Sequence, residues 1–283
     1  MFCALFGYSK QAYYKAQTQC HAATDRRQRA KDLVLGLRHQ MPRLGTRKLH
    51  YLLKGELGMG RDKLFGLLRT EGLLICKRRR YTVTTNSKHW MRKYPNLIKD
   101  IALVRPEQVW VADITYIDTR GDGHGYLHLI TDAYSKQIMG YELCGNMEAA
   151  STLKALQMAI ANRKYHGAAL IHHSDRGLQY CSKLYTDYLK ANGISISMTE
   201  NGDPYENAIA ERVNGILKDE FGLSQPIGNI NEAMQRAAQS ISIYNHSRPH
   251  LSCNMLTPVQ MHRQKEIKLK SYHKKAQTSL VDV

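Results

Sequence analysis

The chain has 283 residues, of which 43% are hydrophobic, and a formal net charge of +17. Its length allows one large domain or two modest ones, and the lack of any apolar run near about 18 residues argues against a membrane span. Its six cysteines contain no CxxC pair, which argues against a structural zinc site and a secreted disulfide framework. We therefore expect reduced thiols in a cytoplasmic protein.

The positive charge is concentrated at one end of the sequence. Residues 1–95 contain 21 Lys and Arg against 5 Asp and Glu, a net +16, whereas the remainder contains 20 against 19. This asymmetry predicts a polyanionic partner, because Lys and Arg contacts to phosphates supply most of the non-specific affinity for DNA. A basic surface that serves only solubility is the alternative.

The basic N-terminal region is predicted to be helical. Ser9 suits the N-cap of a first helix, and a second is predicted from about Ala23 to Gln40. Two shorter helices with leucines at helical spacing follow, separated by residues 58–60. The pair is typical of a helix-turn-helix, whose second helix enters the major groove and here would present Arg61, Lys63 and Arg69. A small helical bundle that binds no DNA has the same leucine pattern.

A basic run follows these helices and includes Arg78, Arg79 and Arg80. Further cations alternate with aromatic residues up to Tyr94, so the run is interpreted either as a linker that follows DNA phosphates or as a solvated charged segment.

We expect a DNA-binding helical region over 1–95, a linker over 96–107, a catalytic core over 108–264 and a basic tail over 265–283.

The second half of the chain alternates strands and helices. Three predicted strands, Val109–Ile117, Tyr126–Thr131 and Ile138–Leu143, form an antiparallel meander. The further prediction is a helix over 148–165, a strand over 168–172, a helix over 183–191, a strand over 194–198, and helices at about 205–221 and 232–246. This order predicts an α/β, ribonuclease H-like core with a mixed five-stranded sheet flanked by helices, preceded by the small all-α helix-turn-helix module.

Three acids stand out within the predicted core. Asp113 lies in the middle of the first strand, where an acid is costly to bury unless it is paired or holds a metal. Asp175 lies just beyond the fourth strand, and Glu211 lies on the helix that follows the fifth. We expect the three carboxylates to converge on two Mg²⁺ ions, with Mn²⁺ as a substitute, because paired ions about 3.5–4 Å apart catalyse phosphodiester cleavage. Asp118, Asp122 and Asp132 are expected to serve turns and strand ends.

Five segments carry a resemblance to a known family. They are VWVADITYI (109–117), HHSDRGLQY (172–180), the 35 residues between the second and third acids, NGDPYENAIAERVNGILKDE (201–220) and YNHSRPHLSCNMLTP (244–258). Over nearly its whole length the chain resembles a bacterial insertion-sequence transposase of the OrfB type, with a DDE catalytic core similar to that of retroviral integrases.

The resemblance implies a function and a set of site residues. It implies that Asp113, Asp175 and Glu211 are the catalytic triad of an enzyme that cleaves the 3′ ends of an insertion sequence and joins them to target DNA. Lys218 is implied to contact the transposon end, and Asn207 to lie next to the site. His172 and His173 are expected to have a supporting structural role.

The resemblance also implies partners. These are the terminal inverted repeats and target DNA, other copies of the chain bound to DNA, and an OrfA-type product of an upstream reading frame. The expected protein is cytoplasmic and nucleoid-associated, without membrane contact. Two other functions remain open: an inactive DNA-binding protein, which the three intact acids disfavour, and a structure-selective nuclease of the same fold, which the basic N-terminal region disfavours.

Overall fold

The computed structural model describes residue 7 and residues 9–76, 90–99, 101–200 and 207–264. Contacts between residues divide the chain into two compact units, one of residues 1–84 with 215–225 and the other of residues 85–214 with 226–283. The predicted boundary after residue 95 stays a prediction. The predicted tail over 265–283 and the run containing Arg78, Arg79 and Arg80 lie outside the described residues.

The first unit contains three consecutive helices, α1 (Lys10–Gln40), α2 (Thr46–Leu53) and α3 (Arg61–Thr70). Their buried apolar side chains recur every three or four residues, which is the spacing of one helix face: Ala30, Val34, Leu49, Leu53, Leu64 and Leu68. The prediction of two helices before residue 40 was wrong. Ser9 caps α1 through Ala12 N at 3.1 Å, and no Gly or Pro follows before Gly36, so nothing ends the helix near Ala23.

The second unit contains a five-stranded sheet in the order β3-β2-β1-β4-β5. Its strands are β1 (Val109–Asp118), β2 (His124–Asp132), β3 (Ile138–Cys144), β4 (Ile171–Ser174) and β5 (Ser195–Met198). The first three pair antiparallel, as predicted, whereas β4 pairs parallel with both β1 and β5. Its helices are α4 (Ala149–Ala161), α5 (Leu178–Cys181), α6 (Lys183–Ala191), α8 (Ile230–His246) and α9 (Pro258–His262). A further helix, α7 (Ala208–Glu220), begins in this unit, and its residues from 215 on belong to the first unit.

Helices pack against both faces of the sheet, because successive side chains of a strand point to opposite sides. Trp110 and Ala112 of β1 pack with Leu156 of α4 in one buried cluster. Val109 and Val111 pack with Ala210 of α7 in another. The mixed five-stranded sheet with flanking helices confirms the predicted fold class. No helix in the described part of the chain is long and apolar enough to cross a membrane.

Two predicted boundaries were wrong. The fourth strand begins at Ile171 and not at Ala168, because its pairing with β1 starts where Val109 meets Ile171. The preceding helix ends at Ala161, four residues before Tyr165. Residues 163–168 form a turn whose backbone N–H groups at Lys164 and Tyr165 donate to the Glu107 carboxylate at 2.7 and 2.9 Å. A contact between residues so distant in sequence is invisible to local pattern.

Candidate active site

Asp113 lies in the middle of β1 on the side of the sheet that faces α7. It follows Val111 by two residues, so both side chains point to the same face. Asp113 Oδ2 accepts a hydrogen bond of 2.7 Å from Asn214 Nδ2 of α7, and Oδ1 accepts one of 2.9 Å from the Ile114 N–H. Two fixed donors therefore orient this half-buried carboxylate.

Asp175 comes one residue after β4 and is aligned with Asp113. In the parallel pairing of β1 and β4, Val111 lies opposite His173, and two residues further along each segment stand Asp113 and Asp175. Asp175 Oδ1 accepts a hydrogen bond of 2.9 Å from the Gly177 N–H. The first two predicted acids thus come from neighbouring parallel segments of one sheet.

Glu211 lies in the first turn of α7, and its side chain is exposed. Two asparagines hold this helix to β1, one on either side of Glu211 along the chain. Asn207 Nδ2 donates to the Ala112 carbonyl at 3.2 Å, and Asn214 contacts Asp113 as described above. The helix is therefore fastened to the strand that carries the first acid.

The pKa of Asp113 shows that the three acids are electrostatic neighbours. Burial is the largest cause of its rise from 3.8 to about 7, the negative charge of Asp175 is the next, and the charge of Glu211 contributes a smaller part. Hydrogen bonds from Ile114 and Asn214 act in the opposite direction. Like charges disfavour each other's ionised forms, so this site accumulates negative charge that a cation would relieve.

The donor set fits a hard divalent cation. Carboxylate oxygens are the ligands that Mg²⁺ prefers, and it dehydrates reluctantly and keeps several waters. Among the residues that the structure describes, no three or more His, Cys, Asp or Glu side chains are arranged closely enough to hold a metal ion. The acids are neighbours without a closed ligand cage in this conformation, and their metal and catalytic roles stay predictions.

Two residues of this site were missed by the sequence analysis. Asn214 stands three residues after Glu211, a spacing that places both on neighbouring positions of a helix surface, but this spacing alone does not separate it from a solvated side chain. Tyr180 is buried, and its hydroxyl has no hydrogen-bond partner in the described part of the chain. Burial, followed by the charges of Asp175 and Asp113, raises the pKa of Tyr180 well above 10, so both carboxylates influence its hydroxyl.

His172 and His173 of β4 are buried in hydrogen-bonded positions. His172 Nε2 lies 2.8 Å from the Tyr185 hydroxyl, and burial, with the neighbouring His173, lowers the pKa of His172 to about 3. His173 Nδ1 lies 2.8 Å from Ser197 Oγ of β5. Both imidazoles thus bridge β4 to other elements of the unit, which agrees with the supporting role expected for them.

The predicted DNA-contacting residues occupy different environments. Arg61, Lys63 and Arg69 of α3 are exposed, while Leu64 and Leu68 are buried, so the helix presents its cations to solvent. Lys218 is half-buried, seven residues after Glu211 on α7. Asn207 is 7% exposed, and its buried amide serves the contact with β1. Their roles toward DNA stay predictions.

The fold and the acids define a class of protein. A five-stranded mixed sheet with an acid on its central strand and another beyond the adjacent parallel strand is the arrangement of a ribonuclease H-like nucleic-acid enzyme. Two family models described as integrase core domain match residues 104–204 and 192–258.

Relatives define the family more narrowly. The chain is 38% identical over 264 residues to the insertion element IS600 uncharacterized 31 kDa protein of Shigella sonnei, covering 90% of this chain and 95% of that protein. It is 32% identical over 226 residues to the transposase for insertion sequence element IS629 of Shigella sonnei, covering 76% and 75%. The chain belongs to the insertion-sequence transposases with an integrase core domain, and it is an enzyme of the polynucleotidyl transferase type.

The structure is similar in fold to a chain of a solved complex. It matches a chain of the simian T-cell lymphotropic virus intasome in complex with PP2A regulatory subunit B56 gamma, with a TM-score of 0.50 and 18% sequence identity. The match covers 83% of this chain and 77% of that one. At this identity the likeness concerns the fold alone.

Proposed function

We propose that this transposase cleaves the 3′ ends of its insertion sequence and joins the exposed hydroxyls to target DNA, with Asp113, Asp175 and Glu211 as the catalytic acids. One observation carries the proposal. Asp113 is aligned with Asp175 on adjacent parallel segments, and the charges of Asp175 and Glu211 help burial to raise its pKa to about 7. Carboxylates that are crowded in this way repel one another in their ionised forms. Such clusters with raised pKa values are typical of functional sites.

Asp113, Asp175 and Glu211 would hold Mg²⁺, with Mn²⁺ as a substitute and two ions as the proposed number. Bound divalent ions lower the pKa of an attacking water or hydroxyl and stabilise charge on the leaving oxygen. The protein itself orients the carboxylates through hydrogen bonds. Asn214 Nδ2 donates to Asp113 Oδ2 at 2.7 Å, and the Gly177 N–H donates to Asp175 Oδ1 at 2.9 Å. These hydrogen bonds would hold the Asp113 and Asp175 carboxylates in place while the three acids close around a cation.

The DNA partners follow from charge and exposure. The excess of +16 in residues 1–95 and the exposed Arg61, Lys63 and Arg69 support binding of the terminal inverted repeats through α3. Lys218, two helical turns after Glu211, is assigned to the phosphates near the cleaved bond, and Arg78, Arg79 and Arg80 to non-specific phosphate contact. Assembly as a homo-oligomer on DNA, with an OrfA-type upstream product, completes the proposal.

A strand-transfer assay on labelled element ends tests this function. With Mg²⁺ or Mn²⁺, the native protein is expected to give joined products, and Asp113→Asn is expected to give none because the substitution removes the shared anionic ligand. The matched control is Asp118→Asn, which changes an acid at the exposed end of the same strand, paired with His124 at 2.9 Å. Joining by Asp113→Asn at the native rate would refute the assignment, and end binding without cleavage by the native protein would favour a DNA-binding role alone.

A further inference from the structure

A surface strip beside the sheet combines the most exposed apolar side chain of the described residues with three cations. We call the group formed by Trp90, Arg92, Lys93 and Lys190 the Trp90 strip. The Trp90 residue is 90% exposed, and Arg92, Lys93 and Lys190 are exposed as well. One exposed aromatic residue is ordinary on a protein surface, so its significance depends on how it is held and on what surrounds it.

The backbone that carries Trp90 is fastened to the edge of the sheet. The Leu97 N–H donates to Ser197 Oγ of β5 at 2.9 Å, and the Pro95 carbonyl accepts a hydrogen bond of 3.3 Å from the Met198 N–H. Met91 and Tyr94 pack against the buried cluster that contains Tyr185 and Leu189 of α6. The residue next to Trp90 is therefore anchored, and Trp90 itself stays in solvent.

The three cations lie around the same anchored segment. The Arg92 guanidinium carbon is 5.3 Å and the Lys190 Nζ is 5.8 Å from the centroid of the Tyr94 ring, within the range of cation–π attraction. Lys190 Nζ also lies 3.8 Å from an exposed Asp187 carboxylate oxygen, a weak pair that a phosphate can replace.

Lys93 of the strip and the proposed catalytic acid Asp175 influence the same thiol. Burial raises the pKa of the Cys181 thiol; the charge of Asp175 adds to this rise, whereas the charges of Lys93 and Arg176 oppose it. Lys93 and Asp175 therefore act on one thiol at the end of α5.

We propose that the Trp90 strip binds a single-stranded segment of the DNA end, with the Trp90 indole stacked on an unpaired base and Arg92, Lys93 and Lys190 on the backbone phosphates. The proposal rests on the proposed function. An indole can stack on any base through its π-face, and this contact is independent of sequence. Inside a duplex the base faces are already covered, so stacking selects a frayed or single-stranded end.

The tryptophan content of the chain provides a direct test. The chain has two tryptophans, and the other, Trp110, is 0% exposed, so acrylamide reaches only Trp90. The full-length protein is titrated with an element end carrying a 3′ single-stranded overhang, with the blunt duplex, and with an overhang of abasic sites. Of the three DNAs, we expect only the end with the base-containing overhang to quench Trp90 fluorescence and to protect Trp90 from acrylamide. Trp90→Phe should remove the acrylamide-accessible emission.

Binding measurements give the second readout. Trp90→Ala is expected to weaken binding of the overhang DNA by roughly tenfold, since base–aromatic stacking gives about 1–3 kcal/mol per base, and to leave blunt-duplex binding unchanged. Leu97→Ala, which truncates another exposed apolar residue of the segment, is the matched control and should leave both affinities unchanged. Trp110 emission reports whether each variant is folded.

Two results would overturn the proposal: full acrylamide access to Trp90 at saturating overhang DNA, or equal quenching by the abasic overhang. Failure of the proposed function gives a different result. Asp113→Asn should join no DNA and still protect Trp90, because the strip does not use that carboxylate. Protection without joining by the native protein would retain the strip and reject the catalytic assignment.

Discussion

Asp113 is recognisable from sequence because it interrupts an apolar strand, whereas its hydrogen-bond partner is not. VWVADITYI has one charged residue among buried positions, and burying a charge without compensation is unfavourable. Asn214 is one polar residue on an amphipathic helix, and nothing local distinguishes it from a solvated side chain. Its role becomes visible only when α7 packs on β1 and Asn214 Nδ2 lies 2.7 Å from Asp113 Oδ2.

The contact between Asn214 and Asp113 gives a prediction for catalysis. Asn214→Ala removes a hydrogen bond to a charged group, which is worth about 1.5–3 kcal/mol, so the rate of strand transfer should fall about tenfold or more. Asn214→Asp should lower it further, because a fourth negative charge would approach Asp113. Initial rates of joining on labelled ends measure both effects.

The control for Asn214, which is buried, is Asn192, a half-buried asparagine of the same unit. Asn192→Ala removes a hydrogen bond of 2.8 Å to the Tyr188 carbonyl at the end of α6 and should leave the joining rate near the native value. If the loss of joining rate in both alanine variants follows the decrease in their melting temperatures, Asn214 acts on stability and not on the Asp113 carboxylate.

Lys218 gives a prediction about DNA ends. It stands two helical turns after Glu211, and seven residues return a helix to nearly the same face. Lys218→Ala should reduce cleavage of element ends more than it reduces binding of unrelated DNA, because one phosphate contact near the cleaved bond contributes little to the total electrostatic affinity. End cleavage and filter binding of random duplex measure the two quantities, and equal losses in both would contradict the assignment.

At the scale of elements, side-chain periodicity predicted the three strands of the meander well. It predicted less well the strand whose limits depend on pairing with a distant part of the chain. β1, β2 and β3 are adjacent in sequence and in the sheet, so local alternation and short turns were sufficient. β4 is four residues long, and its position depends on pairing with β1 across more than 50 residues of chain. The apolar residues Ala168, Ala169 and Leu170 therefore led the prediction to begin the strand too early.

The packing of α4 on β3 depends on a glycine. A Cβ added at Gly140 would lie 2.1 Å from the Ala155 carbonyl oxygen and 2.6 Å from the Ala159 nitrogen, both backbone atoms of α4. Gly140→Ala therefore requires the helix to move away from the strand, and we expect a loss of about 3 kcal/mol or more in the free energy of unfolding. Denaturant unfolding followed by circular dichroism measures this loss.

Gly145→Ala is the matched control for this substitution. Gly145 follows β3, and a Cβ built there meets nothing within 4 Å, so we expect a change within about 0.5 kcal/mol. A Gly140→Ala protein as stable as the Gly145→Ala protein would mean that α4 does not approach β3 as closely as the structure shows.

At the scale of the catalytic unit, a buried polar network joins three segments that sequence analysis treated separately. His262 of α9 lies between two fully buried acids, with Nε2 at 3.2 Å from Glu107 and Nδ1 at 3.8 Å from Asp132. Asp132 also accepts hydrogen bonds of 2.7 Å from the Glu107 N–H and from the Ser135 N–H and hydroxyl. Asp132 was expected to serve a turn, which it does at Ser135, but its contact with residues 107 and 262 could not be read from local sequence.

The two partners of this network shift each other's pKa in opposite directions. Burial alone would lower the pKa of His262, but its hydrogen bond to Glu107 and the negative charges of Asp132 and Glu107 outweigh burial and raise the pKa. Burial alone would raise the pKa of Glu107, but hydrogen bonds from His262 and from the Lys164 and Tyr165 N–H groups lower it. The network is therefore most stable with a protonated His262 imidazole and an ionised Glu107 carboxylate.

These shifts predict the pH dependence of stability. A raised folded pKa means that the His262 contribution is complete below its ordinary value of 6.5 and is lost as the pH rises through the folded value. A lowered folded pKa means that the Glu107 contribution is present above 4.5 and is lost as the pH falls through its folded value. The network should thus stabilise the unit most between about pH 4.5 and 6.5.

Comparison of the native protein with His262→Gln isolates the stability that His262 contributes at acidic pH and loses as the pH rises. His128 and His172 titrate in the opposite sense, because burial lowers their pKa values to about 4 and about 3, but they are common to both proteins and cancel in the difference. The free energy of unfolding, measured in denaturant from pH 5 to 9, should differ most at acidic pH and converge as the pH rises. A difference for His262→Gln that stays constant with pH would mean that its imidazole stays neutral between Glu107 and Asp132.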